Sequence, residues 1–311
     1  FLLYYYTDIF GIDPALIGIM FIVTKVVDAI SDPLMGVIAD RTNSRWGKFR
    51  PYLLWGAIPY GVLGYAMFAN PDLSASGKLV YAYATYTLMM LAYTAINIPY
   101  SALMGVISPS SIERTSVASY RFVCAFSAAW LVGTFVTPLK TILGGGNEAE
   151  GFRLTMMIFA VISVALFWVT FATTKERVKP LQKRSNLKLD FKAMLGNGPW
   201  ITLFLAAIFT LMNVAVRNGA ILYYFKYYCG DADIAPAFWV SGSFAAIFGM
   251  LFTKQLTAIF GKKRLMIMMN ASVGLLTAGF LFLSPDQIVW MFVLHIAASF
   301  VGGPSPVLLW A

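Results

Sequence analysis

Residues 14–50 read PALIGIMFIVTKVVDAISDPLMGVIADRTNSRWGKFR: an apolar run to about residue 38, then a turn holding Arg41, Arg45, Lys48 and Arg50. A helix needs roughly 20 mainly apolar residues to cross the hydrocarbon core of a bilayer, and residues 14–38 meet that length. Working outward, similar runs lie near 51–69, 79–106, 116–142 and 153–174, and again near 199–228, 235–258, 265–283 and 287–311, each bounded by glycine, proline or charge. These runs are long, continuous and rich in Leu, Ala, Met and Phe, whereas the strands of a membrane barrel are short and alternate in polarity. The expectation is an all-α polytopic membrane protein. Composition agrees, because 59% of the 311 residues are hydrophobic and only 12% charged, with a mean hydropathy of +0.73. About a quarter of the residues of a soluble domain carry charge, so a disordered chain, a disulfide-rich secreted domain and a soluble enzyme are all disfavoured. Cys124 and Cys229 have no metal-ligand spacing and read as packed thiols.

The net charge of +9 does not point to nucleic acid, because the bases collect in a few loops. Arg41, Arg45, Lys48 and Arg50 fill one. Lys175, Arg177, Lys179, Lys183, Arg184, Lys188 and Lys192 fill a long one, and Lys262, Lys263 and Arg264 a third. Even numbers of spans separate the three, while the turns around Asp72, Glu148 to Glu150, Asp231 to Asp233 and Asp286 are poor in base. The positive-inside rule makes the basic side cytoplasmic and the location a cell (inner) membrane, multi-pass; binding of anionic lipid by those loops is compatible with this. The predicted organisation is a helical half over 1–174, a cytoplasmic linker over 175–198 and a second half over 199–311. The short basic loop falls at the same place in each half, which suggests parallel repeats of the major-facilitator kind. No cleavable signal peptide is visible. Phe1 to Phe10 is too short to span and Ser305 to Ala311 has no cap or polar flank, so both ends are expected to lie inside helices of a longer protein.

Lys25, Asp28 and Asp32 sit at i, i+3 and i+7 within the first apolar run, on one helix face. Each charge costs roughly 2.5–3.5 kcal/mol at the centre of a bilayer on insertion scales, so the trio calls for a wet or polar interior. A charge-paired helix contact is one reading. The other starts from two carboxylates facing a single Lys, where a bound Na+ or a shared proton neutralises the excess and Ser31 adds a hydroxyl oxygen suited to a hard cation. In YTAINIPYS, Tyr93 to Ser101, Pro99 removes a backbone hydrogen bond inside a helix. There Thr94 and Asn97 share a face, either as cation ligand and substrate contact or as an interhelical polar contact. Arg121 stands near the start of its span, where snorkelling competes with reaching inward to a carboxylate. Arg217, with Asn213 and Asn218, lies deeper in its span. His295, the single His, is either a proton-handling group or a hydrogen-bonded packing residue. Tyr4, Tyr5, Tyr6 and Asp8 fit the outer membrane interface.

These motifs resemble the glycoside–pentoside–hexuronide:cation symporters, a melibiose-permease-like family of the major facilitator superfamily. The resemblance is carried by YYYTD at Tyr4 to Asp8, DAISDPLMG at Asp28 to Gly36, DRTNSRWGKFRPY at Asp40 to Tyr52, NIPYSAL at Asn97 to Leu103, SYRF at Ser119 to Phe122 and TKERV at Thr174 to Val178. It implies a twelve-helix fold with alternating access, of which this chain covers the end of helix 1 to part of helix 10. It also implies that Asp28 and Asp32 are the cation-binding carboxylates, with Ser31 and Thr94 as neighbouring ligands and Lys25 close by. Asn97 falls on the sugar-binding position of helix 4, Tyr93 on a neighbouring pocket position, and Arg121 on the sugar-site arginine of helix 5, which reverses the positional preference for snorkelling.

The departures bear on specificity. Melibiose permease has Asn where Ser31 stands, Asp where Asn97 stands and Trp where Ser101 stands, so galactoside preference does not carry over, and NIPYSAL is closer to the glucuronide and xyloside branch. The expected activity is secondary active symport of a sugar, glycoside, pentoside or hexuronide with Na+ or H+, with no cofactor beyond the coupling ion and no obligate protein partner. Asp40, Arg41, Arg45, Lys48 and Arg50 are expected to form cytoplasmic gating contacts, and Arg217 and His295 stand as auxiliary candidates. A cation-coupled lysolipid or amphiphile transporter of the same fold is the alternative. An enzyme is not expected, because no nucleophile, acid–base pair or HExxH motif is present.

Overall fold

The structure, a computed structural model, describes residues 1–178, 193–231 and 234–310. Lys179, Lys183, Arg184, Lys188, Lys192 and Asp233, and the side chain of Asn218, lie outside the described residues. The helices are α1 (Leu2–Tyr4), α2 (Pro14–Arg41), α3 (Arg50–Ala66), α4 (Ala75–Ile107), α5 (Ser111–Gly144) and α6 (Glu148–Thr173), then α7 (Gly198–Tyr223), α8 (Ile234–Leu251), α9 (Thr253–Phe260), α10 (Lys262–Ala278), α11 (Ile288–Gly302) and α12 (Pro304–Trp310). Among the described residues there is no strand. Among the described residues eight helical stretches are long and apolar enough to cross a membrane, and α3, at 17 residues, is shorter than these. The chain is a multi-pass helical membrane protein.

Local chemistry sets several helix starts. Asp13 accepts from the Ala15 amide at 2.7 Å just ahead of Pro14, while Ser74, Asn147 and Asn197 cap α4, α6 and α7 in the same way. A short polar side chain at that position satisfies an amide that the first turn leaves unpaired.

Two compact units emerge: one from Phe1–Ser108 with Trp130–Lys179, the other from Pro109–Ala129 with Pro180–Ala311. In the first, α3 packs on α4 and α6, and α2 packs on α4. One end is closed by an aromatic cluster of Tyr5, Tyr6, Phe10, Phe68 and Phe152. Tyr5 and Tyr6 are fully buried, with the Tyr5 hydroxyl donating to the Phe68 carbonyl at 2.8 Å, so of the three tyrosines expected at the membrane interface only Tyr4 is exposed. The cause is a π-helical turn over Tyr5–Ile9, whose extra residue swings both rings inward. On α2, Ile22, Val26, Ile30, Leu34 and Ile38 are each more than half exposed at four-residue spacing, an apolar stripe suited to lipid.

In the second unit α8 and α11 meet at bare backbone: a Cβ on Gly249 would lie 2.0 Å from the Phe300 carbonyl oxygen, and one on Gly242 2.1 Å from His295 Nε2. Such close approach is how membrane helices gain dispersion contacts when lipid removes the hydrophobic drive. The run expected over 235–258 breaks after Leu251, and that over 287–311 is interrupted at Gly303, which lies against the Ala246 carbonyl. Cys124 is exposed rather than packed, and Cys229 is half-buried near the Met291 sulfur. A second π-helical turn, Tyr224–Cys229, ends α7, and Gly230 follows at φ 77, matching Gly11 at φ 78 after the first turn. Each unit thus contains the same device.

Candidate cation and substrate sites

In the first unit the α2 charges divide into two contacts. Lys25 Nζ meets Asp28 Oδ2 at 3.1 Å, with the Lys side chain largely exposed and the Asp side chain mostly buried. The other carboxylate oxygen, Asp28 Oδ1, is buried without a hydrogen bond. One turn on, Asp32 Oδ1 accepts from the Thr94 hydroxyl of α4 at 2.9 Å, and Thr94 is buried. The Ser31 hydroxyl turns back to the Asp28 carbonyl at 3.4 Å. Asn97 is half-buried one turn beyond Thr94, and Tyr93 is 45% exposed. Pro99 inside α4 leaves a carbonyl without its helical partner near these residues. The oxygens thus fall in two separate contacts, Asp28 with Lys25 and Asp32 with Thr94, and carboxylate and hydroxyl oxygens are the donor types that hard cations take. Among the described residues no three His, Cys, Asp or Glu side chains gather as they would around a transition metal.

Arg121 belongs to the second unit, where its guanidinium lies 5.3 Å from the Trp310 ring centre, within cation–π range. Asn97 belongs to the first.

Of the residues expected to gate, Asp40, Arg41 and Arg45 are exposed, with Arg45 stacked 4.1 Å over Trp46. Arg50 donates from Nη2 to the Phe171 carbonyl at 2.6 Å and from Nη1 to the Trp46 carbonyl at 3.4 Å. Among the described residues none of the five forms an ion pair. The side chain that organises the loop is Glu176, which sequence reading passes over. Its carboxylate accepts from the backbone amides of Lys48 at 2.9 Å, Phe49 at 2.7 Å and Arg50 at 3.2 Å, at the positive end of α3. Gly47 makes room: its φ is 108, and a Cβ there would lie 2.4 Å from the carboxylate carbon. The available signal was an acid set between two bases in TKERV. The Val106 carbonyl accepts from the Arg177 and Val178 amides at 2.9 and 3.0 Å, joining the same segment to the end of α4.

In the second unit Arg217 and His295, 78 positions apart, come together: Arg217 Nη2 lies 2.6 Å from His295 Nδ1 and 3.4 Å from Ser299 Oγ. A guanidinium only donates, so Nδ1 accepts and the imidazole proton sits on Nε2.

The whole chain, residues 1–311, matches the family described as MFS/sugar transport protein. The chain belongs to that family. Similar proteins include the inner membrane symporter YicJ of Escherichia coli strain K12, 38% identical over 293 residues, covering 94% of this chain and 64% of YicJ. The isoprimeverose transporter of Lactiplantibacillus pentosus is 33% identical over 318 residues, covering 99% of this chain and 66% of that protein. A glucuronide carrier protein homolog of E. coli strain K12 is 28% identical over 235 residues, covering 75% and 51%. The chain spans about two thirds of the length of the first two relatives. These matches agree with the family resemblance carried by the motifs, and MFS/sugar transport proteins are membrane carriers rather than enzymes.

Proposed function

We propose that this chain is part of a secondary active symporter that couples entry of Na+ or H+ to uptake of a sugar, glycoside, pentoside or hexuronide by alternating access. It sits in the cell (inner) membrane with its basic loops cytoplasmic, a helical half over 1–174, a linker over 175–198 and a second half over 199–311. The observation that carries the reading is the 2.9 Å bond from Thr94 to Asp32. It joins the cation-type carboxylates of α2 to the helix that bears Tyr93 and Asn97. A cation bound between Asp28 and Asp32 takes the Thr94 hydroxyl oxygen as a further ligand, and through Thr94 it changes how Asn97 meets a sugar. Coupling of this kind is a difference in affinity, and it is reciprocal. Arg121 supplies a charged donor to sugar hydroxyls, and Asp40, Arg41, Arg45, Lys48 and Arg50 line the cytoplasmic entrance that opens and closes. The relatives' names, a symporter, an isoprimeverose transporter and a glucuronide carrier homolog, support this chemistry.

The test is uptake by the complete carrier of labelled glucuronide, xyloside and galactoside, each under an imposed Na+ gradient and under a proton gradient alone. Accumulation under either gradient supports symport and names the ion. No accumulation of any sugar overturns the reading and favours the amphiphile carrier.

A further inference from the structure

The second unit holds a cavity of about 480 Å³ that the cation and sugar positions above do not use. Its walls include Asn213, Arg217, Asn270, His295, Ser299 and the ring of Trp239. Thr210, Asn213 and Arg217 fall at i, i+3 and i+7 of α7, so one helix face turns three polar side chains toward it. A guanidinium in a membrane helix has a solvation cost that only a polar environment offsets, yet among the described residues Arg217 bonds through Nη2 alone, to His295 Nδ1, the His295 carbonyl and Ser299 Oγ. No carboxylate among the described residues pairs with it. His295 in turn is fixed: it is 4% exposed, its ring stacks on Phe238 at 3.8 Å, and Gly242 leaves no space beside Nε2 for rotation. Arg217 is therefore held at one corner by a neutral ring, with Nε and Nη1 left to donate. Nε and Nη1 point to opposite sides of the guanidinium and so donate singly rather than as a fork. An anionic acceptor such as a carboxylate is the partner that a cation paired with no acid among the described residues takes by charge-assisted hydrogen bonds.

We infer that this cavity is a carboxylate-binding subsite in which Arg217 anchors the acid group of a sugar acid, with Asn213 and Asn270 toward the hydroxyls. The volume suits a ligand of one or two sugar rings. The inference rests on the sugar-carrier reading and deepens it, making Arg217 the residue that selects acidic over neutral sugars.

The experiment measures, in proteoliposomes of the complete carrier, uptake of labelled methyl β-D-glucuronide relative to methyl β-D-glucoside for wild type, Arg217→Lys and Arg217→Gln. Each ratio is internal to one protein, so differences in expression cancel. Wild type is expected to prefer the acid, and both variants to lose about 10- to 100-fold of that preference, the range for one charge-assisted pair. An unchanged ratio overturns the subsite. Should the variants fail to fold, modification of wild-type Arg217 by phenylglyoxal, followed by mass spectrometry, replaces them: glucuronate should protect and glucose should not. Protection by phosphatidylglycerol vesicles without protection by glucuronate overturns the assignment, as does no differential protection. If neutral sugars accumulate with a cation while the ratio is indifferent to Arg217, symport stands and the subsite falls. If no sugar accumulates, symport falls and glucuronate protection alone decides the subsite.

Discussion

Thr94 donates its hydroxyl to Asp32 at 2.9 Å, so a residue of α4 is tied to a carboxylate of α2 inside the apolar band of the molecule. In the proposed mechanism this bond is where cation and substrate meet. Asp32→Asn should abolish cation-dependent accumulation while the protein still inserts and folds, because the amide accepts from Thr94 but brings no charge to a cation. Sugar uptake with and without the ion gradient, normalised to protein in the membrane, checks this; concentrative uptake retained by the variant refutes the assignment. Thr94→Val should keep transport and raise the ion concentration needed for half-stimulation, since it removes one oxygen and leaves both carboxylates.

Lys25 should act in the opposite sense. Its ammonium occupies Asp28 Oδ2 at 3.1 Å from a largely exposed position, so it competes with a coupling cation more than it supports the fold. The ammonium is largely exposed although its acid is mostly buried, so the pair contributes only about 1 kcal/mol to stability. Lys25→Met should leave melting nearly unchanged and lower the ion concentration for half-stimulation, as read from uptake against Na+ or pH. A higher requirement would mean that the ammonium helps to build the site.

Glu176 accepts three backbone amides at the start of α3. Glu176→Gln keeps an acceptor but loses the charge, and Glu176→Ala loses both. Losses of about 1 and about 2 kcal/mol are expected, on the scale of helix caps and charge-assisted hydrogen bonds. Thermal unfolding in detergent should rank wild type above Gln and Gln above Ala. Gly47→Ala should be at least as damaging as Glu176→Ala, since it combines a left-handed φ with a collision against the carboxylate.

Gly249→Leu should be among the most damaging changes in the second unit. The side chain would start 2.0 Å from the Phe300 carbonyl and force α8 from α11. Overpacking of this kind costs about 1–3 kcal/mol and occasionally more. Loss of monodisperse protein on size exclusion is expected, whereas Ile22→Leu on the lipid-facing stripe of α2 should behave as wild type.

What the sequence made legible was what one helix records by itself. The apolar runs and the shared face of Lys25, Asp28 and Asp32 follow from spacing along a single segment. The contacts between segments were hidden for a physical reason: Glu176 reaches amides 126 to 128 positions away, and Arg217 meets His295 across 78. Nothing in local periodicity records which side chain will find which backbone. Thr94 and Asp32 could be named separately, but their bond depends on how α2 and α4 pack. The break at Gly303 escaped for the same reason, since its cause is a carbonyl on another helix. Tyr5 and Tyr6 misled because a π-helical turn rotates side chains away from where an α-helical count puts them.

The two π-helical turns, Tyr5–Ile9 and Tyr224–Cys229, also bear on which changes in chain length the protein can absorb. Each residue of an α-helix turns the chain by about 100° and advances it by about 1.5 Å. Deleting one residue from either turn would barely shorten the segment, yet it would rotate everything on one side of it relative to the helix that follows. The Gly145–Gly146 corner between α5 and α6 has both glycines at positive φ with open space around them, and it can gain residues without such rotation. Insertions and deletions should therefore collect at corners of that kind and be purged from the two tyrosine-rich turns.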